Sequence, residues 1–314
     1  MIFHPPHDDR PPPARAGVLT QRAALISVGV ALFLLLLKTG AAVATGSVSM
    51  LGSLADTALD VVASLVTLYG VRVAAQPADL DHRFGHGKAE ALAALFQVGL
   101  ISVSAVAIGW RAVERLLEGG ETRDLEYGVG VSLFAMATTL ALLAYQRRVI
   151  RRTGSVAIQA DHVHYQSDLL LNGSVIAALL LDGYAGLSGA DALLGLAIAA
   201  WLLWGAVRAS GRAVDQLMDR EWPEERRRAF LLAAARQPTL RGIHDVRTRS
   251  SGTQDFVQFH VWVPADWTVA QAHRAMDEAE AGLAAEFPGV EILVHLDPEG
   301  RIDTEVGGLR ERQD

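Results

Sequence analysis

Two pairs of potential metal ligands, each with a spacing of four residues, lie in apolar stretches of the chain. Asp56 and Asp60 form the first pair, and His164 and Asp168 form the second. A spacing of four places both members of a pair on one face of a helix. If the two faces meet, three carboxylates and one imidazole form an oxygen and nitrogen site suited to a tetrahedral divalent metal ion. The alternative is that these side chains pair with Lys38 or line a polar seam.

A second group of potential ligands, Asp79, His82 and His86, falls in the short polar segment of residues 77–88. Spacings of three and four bring the three side chains together on a helical turn or in a tight loop. Such a group leaves a fourth coordination position open for water or an incoming ion. Spacing alone favours a metal site no more than it favours a loop of solvated histidines.

The C-terminal third of the chain contains a third group, of four histidines and one aspartate. Its members are His244, His260, His273, His295 and Asp297. His295 and Asp297 share one face of a strand if the strand continues that far. The group could hold two metal ions, with Asp297 as the bridging ligand. The sequence has no cysteine, which excludes disulfides, thiolate metal sites and cysteine nucleophiles.

Six apolar segments predict a six-helix transmembrane bundle, because each is about long enough to cross the roughly 30 Å of hydrocarbon in a bilayer. They cover approximately residues 23–44, 49–73, 91–113, 127–145, 165–184 and 190–207. The second segment carries Asp56 and Asp60, and the fifth carries Asp168. A charge at the centre of a membrane helix costs about 2.5–3.5 kcal/mol, so acidic groups at this depth indicate a function.

Arginine and lysine are concentrated before the first apolar segment, between the second and third, and between the fourth and fifth. Cytoplasmic loops carry the excess of positive charge, so we expect both termini in the cytoplasm and the lipid bilayer around the helices. The N-terminal stretch lacks the apolar core of a signal peptide. We expect residues 1–18 to form a disordered cytoplasmic tail.

Beyond residue 212 the hydrophobic pattern changes to that of a small soluble domain. It predicts the order helix, strand, strand, helix, strand, with Thr268 as the N-cap of the second helix. We therefore expect a transmembrane domain over residues 19–212, a cytoplasmic α+β domain over residues 213–298 and a flexible tail over residues 299–314.

Composition and motifs exclude several functional classes. The net charge of −7 argues against a nucleic-acid-binding protein, because phosphate contacts need a basic surface. The sequence has no phosphate-binding P-loop motif that would indicate nucleotide binding. It also has no HExxH motif and no separate general base that would indicate an enzyme.

Several segments resemble those of the cation diffusion facilitator family. They are SVSMLGSLADTALD, QPADLDHRFGHGKAEALAAL, ADHVHYQSDLLLNG, GIHDVRTRSSG, FVQFHVWV, QAHRAMDEAE and FPGVEILVHLDP, and they span about residues 20–298. The resemblance implies a homodimer in a bacterial inner membrane, with six-helix protomers and a metallochaperone-like cytoplasmic domain. It makes the first group of ligands the transport site, the second a loop site, and the third a two-metal site near the dimer contact.

The resemblance also implies a structural salt bridge between Lys88 and Asp219, which would tie the loop to the dimer interface. Leu80 departs from a close relative in that family, which has a further acidic residue at this position, and we expect the departure to weaken the loop site. This departure leaves the three loop ligands in place.

Together these features predict a secondary transporter that exports a divalent cation in exchange for protons. Metal ions and protons compete for the same deprotonated ligands, and helices that rock around a central site alternate its access. An imidazole among carboxylates favours Zn²⁺, with Cd²⁺, Fe²⁺ and Co²⁺ as further candidates. The alternative is a membrane-anchored metal sensor or scaffold that does not transport.

Overall fold

The computed structural model describes residues 11–45, 48–118, 129–185 and 190–300. In this part of the chain, six long helices precede a domain of two helices and three strands. The elements are α1 (Pro13–Thr45), α2 (Val48–Ala74), α3 (Ala89–Glu118), α4 (Val129–Thr153), α5 (Val156–Ala185), α6 (Ala190–Leu217), α7 (Glu224–Ala234), β1 (Arg241–Ser251), β2 (Gln254–Val263), α8 (Val269–Glu286) and β3 (Val290–Pro298).

Helix α1 begins at Pro13, so the prediction of a disordered tail is wrong for residues 13–18. Proline is favoured at the first position of a helix because the N–H that it lacks would have no partner there. The carbonyl of Pro12 accepts hydrogen bonds from the backbone N–H groups of Arg15 and Ala16, and Ala16 is buried. Residues 1–10 and 301–314, the rest of the two predicted tails, lie outside the described residues.

Within the described residues, four of the six long helices, α1, α2, α3 and α6, are long and apolar enough by themselves to cross a membrane. Helix α4 ends in an arginine-rich segment, and α5 carries the polar side chains of the candidate site. Small residues lie where the helices pack, since alanines of α1, α2, α3, α5 and α6 are fully buried or nearly so. Small side chains allow helix backbones to approach closely in a membrane.

The C-terminal elements follow the predicted order helix, strand, strand, helix, strand. The sheet has the order β1-β2-β3, in which β1 and β2 are antiparallel and β2 and β3 are parallel. Val257, Phe259 and Val261 of β2 pack with Phe230 of α7 and Leu283 of α8 in one core. Because side chains alternate along a strand, the residues between them lie on the face of the sheet opposite the helices.

Thr268 caps α8 as the sequence predicts. Its side chain accepts a hydrogen bond from the backbone N–H of Gln271, and the Gln271 side chain bonds the backbone N–H of Thr268 in return. This reciprocal arrangement satisfies two N–H groups that a helix start leaves without partners.

Candidate metal sites

The structure brings Asp60, His164 and Asp168 together between α2 and α5. One ligand atom from each lies within 4.8 Å of the others. His164 Nε2 is 3.1 Å from Asp60 Oδ1 and 4.0 Å from Asp168 Oδ2. His164 is buried, and the two carboxylates are partly exposed. Two carboxylates and an imidazole at these distances can converge on one divalent cation.

Asp56, the fourth predicted ligand of this site, lies one helical turn before Asp60 and is outside the cluster. Its side chain is exposed, but its charge interacts with that of Asp168. A cavity of about 30 Å³ borders Asp60 and Asp168, and one water needs about 10–15 Å³. The site therefore has room for a small ion or water beside the carboxylates.

Tyr165 fixes α5 against α1 and α2 beside the cluster. Its hydroxyl donates to the backbone carbonyl of Ser27 on α1, at 3.1 Å. The same oxygen is 2.8 Å from the hydroxyl of Ser64 on α2, which can donate to it. Tyr165 is 2% exposed. The orientation of His164 relative to Asp60 is therefore set by buried contacts on the next residue along α5.

Asp161 is a buried carboxylate that the sequence reasoning missed. Gln97 Nε2 of α3 donates to its Oδ1 at 3.0 Å, and Gln146 Nε2 of α4 donates to its Oδ2 at 2.8 Å. Gln97 also donates to Thr67 on α2, and Gln146 to Ser27 on α1. The network thus joins five helices at a point one turn from His164. The spacing of the sequence could have indicated Asp161, because residues 161, 164 and 168 lie on one face of α5.

The loop ligands Asp79, His82 and His86 also lie together, in the segment between α2 and α3. Asp79 Oδ1 is 3.4 Å from His82 Nδ1, and Asp79 Oδ2 is 3.3 Å from His86 Nε2. The two imidazole rings are 4.5 Å apart. Gly85 has a φ of 75°, a left-handed conformation that allows the turn between the histidines.

Backbone hydrogen bonds hold the carboxylate of Asp79 in place in this loop. The N–H groups of His82 and Asp81 donate to Asp79 Oδ1 at 2.6 and 3.0 Å. The first of these bonds is the main cause of a lowered pKa for Asp79, so the carboxylate stays ionised at neutral pH. His86 Nδ1 is buried, and no described residue forms a hydrogen bond with it. This donor set of carboxylate and imidazoles fits a zinc-like ion.

In the C-terminal domain, the strand register places three histidines in one row across the sheet. His244 of β1 is paired with His260 of β2, which is paired with His295 of β3. Asp297 lies against this row. Its Oδ2 is 3.2 Å from His244 Nε2 and 2.9 Å from His260 Nδ1, and its Oδ1 is 3.3 Å from His295 Nε2.

The two oxygens of Asp297 thus face different histidines, as a bridging ligand requires. His244 Nδ1 is 2.7 Å from the carbonyl of Gly242, to which only a protonated ring nitrogen can donate. His244 Nε2 is then the nitrogen with a free lone pair, so the tautomer is suited to bind a metal ion. Asp245, which the sequence reasoning missed, places Oδ2 3.6 Å from His260 Nε2.

His273 is not brought to this row. It lies on α8, where its Nδ1 is 3.0 Å from Asp277 Oδ2, and both side chains are exposed. The reason is the layering of the domain. Helix α8 covers the face of the sheet that carries Phe259, whereas His260 lies on the opposite face.

Lys88 and Asp219 lie at the junction of the membrane helices and the C-terminal domain. Lys88 Nζ is 3.0 Å from Asp219 Oδ2, and Asp219 Oδ1 is 3.6 Å from the guanidinium of Arg249 on β1. The Arg249 guanidinium also stacks on the ring of Phe84, in the loop that carries the histidines. A Cβ on Gly87 would lie 2.1 Å from the carbonyl oxygen of Ser251, so the loop and the sheet meet backbone to backbone.

Comparison with known proteins matches the whole of this architecture. Residues 24–218 match the family model described as the cation efflux transmembrane domain, and residues 222–299 match that of the cation efflux protein cytoplasmic domain. The chain belongs to the cation diffusion facilitator family. The cation-efflux pump FieF of Cronobacter sakazakii is 43% identical over 90% of this chain and 94% of its own length. FieF of Klebsiella pneumoniae is 41% identical over 94% of this chain and 98% of its own length.

Membership of the cation diffusion facilitator family confirms the predicted fold class, a helical membrane domain followed by a cytoplasmic α+β domain. The chain is a multi-pass membrane protein of the cation efflux type, and its function is the transport of divalent metal cations. The clusters described above lie within the two matched regions.

Proposed function

We propose that this protein exports Zn²⁺ from the cytoplasm in exchange for protons. The observation that carries the proposal is the cluster of Asp60, His164 and Asp168, built by two helices within the transmembrane region. Asp56 lies one turn away and adds a third carboxylate. Ionisable groups at membrane depth are costly and mark ion pathways.

The chemistry of the donor atoms supports Zn²⁺ as the substrate. One imidazole and carboxylate oxygens suit a divalent ion of borderline softness, and Cd²⁺, Fe²⁺ and Co²⁺ can share such a site. The sequence has no cysteine, and Cu⁺ prefers thiolate or thioether ligands. The name of the relatives, cation-efflux pump, agrees with export of a cation.

Competition between protons and metal supplies the coupling. The imidazole and carboxylates bind Zn²⁺ only when they are deprotonated. When the site faces outward, incoming protons displace the ion, and the protonated ligands then return to the cytoplasmic side. Rocking of helices around a central site, as in other secondary carriers, provides the alternation.

We propose resident zinc ions at the two other clusters. Asp79, His82 and His86 would bind one ion in the loop. His244, His260 and Asp297 would bind a second, and His295 with the other oxygen of Asp297 would help to bind a third. Zinc at the cytoplasmic site would cross-link strands β1, β2 and β3, and zinc in the loop would hold its turn in one conformation.

The assembly that we propose is a homodimer in a bacterial inner membrane, formed through the cytoplasmic domain and with both termini in the cytoplasm. The arginine-rich end of α4 supports this orientation, because positive charge collects on the cytoplasmic side. The predicted limit at residue 212 falls inside α6, which continues to Leu217 because its last turns stay packed at Ala213 and Leu217. We therefore propose a membrane domain that ends with α6, and we retain the predicted end of the cytoplasmic domain at residue 298.

A flux assay tests the proposal. The purified protein is reconstituted in liposomes with an imposed pH gradient, and zinc movement is followed with a fluorescent indicator. We expect proton-driven flux in the wild type, its loss in Asp60→Ala, and its retention in Asp266→Ala, which removes an exposed carboxylate outside the clusters. Flux that is absent in the wild type, or unaffected by Asp60→Ala, would refute the transport mechanism. Zinc binding without flux would instead support a sensor or scaffold.

A further inference from the structure

Helix α1 brings a cation to the edge of the candidate transport site. Lys38 is partly buried, and it is the one charged residue of α1 beyond Arg22. A lysine in a membrane helix commonly extends its ammonium group toward the bilayer surface. Here Lys38 Nζ instead donates a hydrogen bond to Thr57 Oγ1 on α2, at 2.7 Å. Thr57 is 1% exposed and directly follows Asp56.

The ammonium group shares its surroundings with the metal ligands. Lys38 lines the same cavity of about 30 Å³ as Asp60 and Asp168. The charges of Lys38 and Asp168 interact across this space. The hydrogen bond of the ammonium group goes to the neutral hydroxyl of Thr57, so Lys38 acts on the carboxylates through its charge.

The charges of the predicted transport ligands and Lys38 balance when a divalent ion is present. Asp56, Asp60 and Asp168 carry three negative charges when ionised, and His164 is neutral when it binds a metal ion. Lys38 adds one positive charge, and Zn²⁺ adds two. Counted over these groups, the loaded site is neutral with Lys38 and carries a net charge of −1 without it, in a region where uncompensated charge is costly. Asp161, whose two oxygens accept from Gln97 and Gln146, adds the same charge to both counts.

We propose that Lys38 is a resident counter-charge of the transport site, which weakens metal binding enough for release and keeps the loaded site neutral during its movement. This inference rests on the proposed transport function. Lys38 would act on the ligands through its positive charge alone, and it would form no direct bond to the metal ion.

A counter-charge and a purely structural lysine predict opposite changes in zinc affinity when the charge is removed. Replacing Lys38 with methionine keeps an unbranched apolar chain and removes the charge. Loss of a repelling cation should tighten Zn²⁺ binding at the transport site by about tenfold or more, because charges that line one small, partly buried cavity are only weakly screened by solvent. It should also lower the maximal transport rate. A structural defect would weaken binding.

The experiment measures zinc binding and zinc flux in the full-length protein. Binding at the transport site is the part of the isotherm that disappears when Asp60→Ala is added to each variant. We expect tighter binding and slower flux in Lys38→Met, and behaviour within about threefold of the wild type in Lys38→Arg, which keeps the charge. Thr57→Val removes the hydrogen bond but not the charge, and we expect it to stay within the same range.

Unchanged or weaker transport-site affinity in Lys38→Met, with zinc still bound at the loop and cytoplasmic sites, would overturn the proposal. An effect of Thr57→Val as large as that of Lys38→Met would also overturn it, since the hydrogen bond would then matter more than the charge. Failure of the transport function itself is distinguishable, because it appears as an absence of wild-type flux or as indifference to Asp60→Ala.

Discussion

Replacing Asp161 with leucine should destabilise the membrane domain and disable transport. The substitution removes the acceptor of two buried amide groups, the Nε2 atoms of Gln97 and Gln146. Each buried donor without a partner costs about 1–3 kcal/mol. The pair therefore costs about 2–6 kcal/mol, before any loss from rearranged packing. The network connects α5 to each of α1, α2, α3 and α4, so its loss should also displace His164, which lies one turn away on α5.

Asparagine at position 161 is the matched control. Gln97 Oε1 is buried, and it has no hydrogen-bond partner in the part of the chain that the structure describes. Rotation of the Gln97 amide by about 180° would present this oxygen to the new amide group, while the Thr67 hydroxyl donates to it in place of accepting. The remaining oxygen of the asparagine would still accept from Gln146. The Gln97 Nε2 amide would then lie where Oε1 now lies without an acceptor among the described residues. We therefore expect Asp161→Asn to cost about 1–3 kcal/mol, the cost of one unpaired buried donor and less than that of the leucine.

Thermal unfolding of the purified protein in detergent, followed by the helical circular dichroism signal with a metal chelator present, measures the difference. At about 2–4 °C per kcal/mol, Asp161→Leu should lower the melting temperature by about 4 °C or more, and Asp161→Asn by less. The reasoning is wrong if the leucine variant melts with the wild type, or if the two variants are equally destabilised.

Two further predictions concern the other clusters. Hydrogen bonds from loop amides lower the pKa of Asp79 below its ordinary value of 3.8. These bonds therefore stabilise the loop at any pH above that ordinary value, and their contribution is lost only as the pH falls through the lowered pKa. Zinc titrations between pH 5 and 8 should therefore show weaker binding in Asp79→Asn with the same midpoint pH, and a shifted midpoint would contradict this. Each oxygen of Asp297 faces a different set of histidines, so Asp297→Ala should lose both cytoplasmic zinc ions. Metal analysis of the purified variant checks this, and loss of one ion or none would argue against bridging.

Much of the fold follows from local sequence patterns. The order of helices and strands in the cytoplasmic domain and the cap at Thr268 depend on neighbouring residues, and the structure confirms them. The start of α1 was misplaced because residues 13–18 lack the apolar content by which a membrane helix is recognised. Once the helix is packed, however, Ala16 is buried and Gly17 lies against α2.

The candidate sites were likewise predictable only where their ligands are close together in the sequence. Spacings of three, four and two residues indicate ligands that share one helix face, loop or strand, as with His164 and Asp168. The position of His273 depends on which side of the sheet α8 covers, and spacing does not specify this. The network of Asp161 draws its partners from other helices, so its residues converge only when the bundle is assembled.

The contact between Gly87 and Ser251 limits how the two domains can be exchanged between relatives. A chimera with its joint between residues 218 and 222 would appear to respect the domain boundary. It would nevertheless pair a foreign sheet with a loop shaped to this one, where a single added methyl group meets a backbone carbonyl. For the design of chimeras, the loop of residues 84–88 is therefore part of the cytoplasmic module, although the chain reaches it before the third membrane helix.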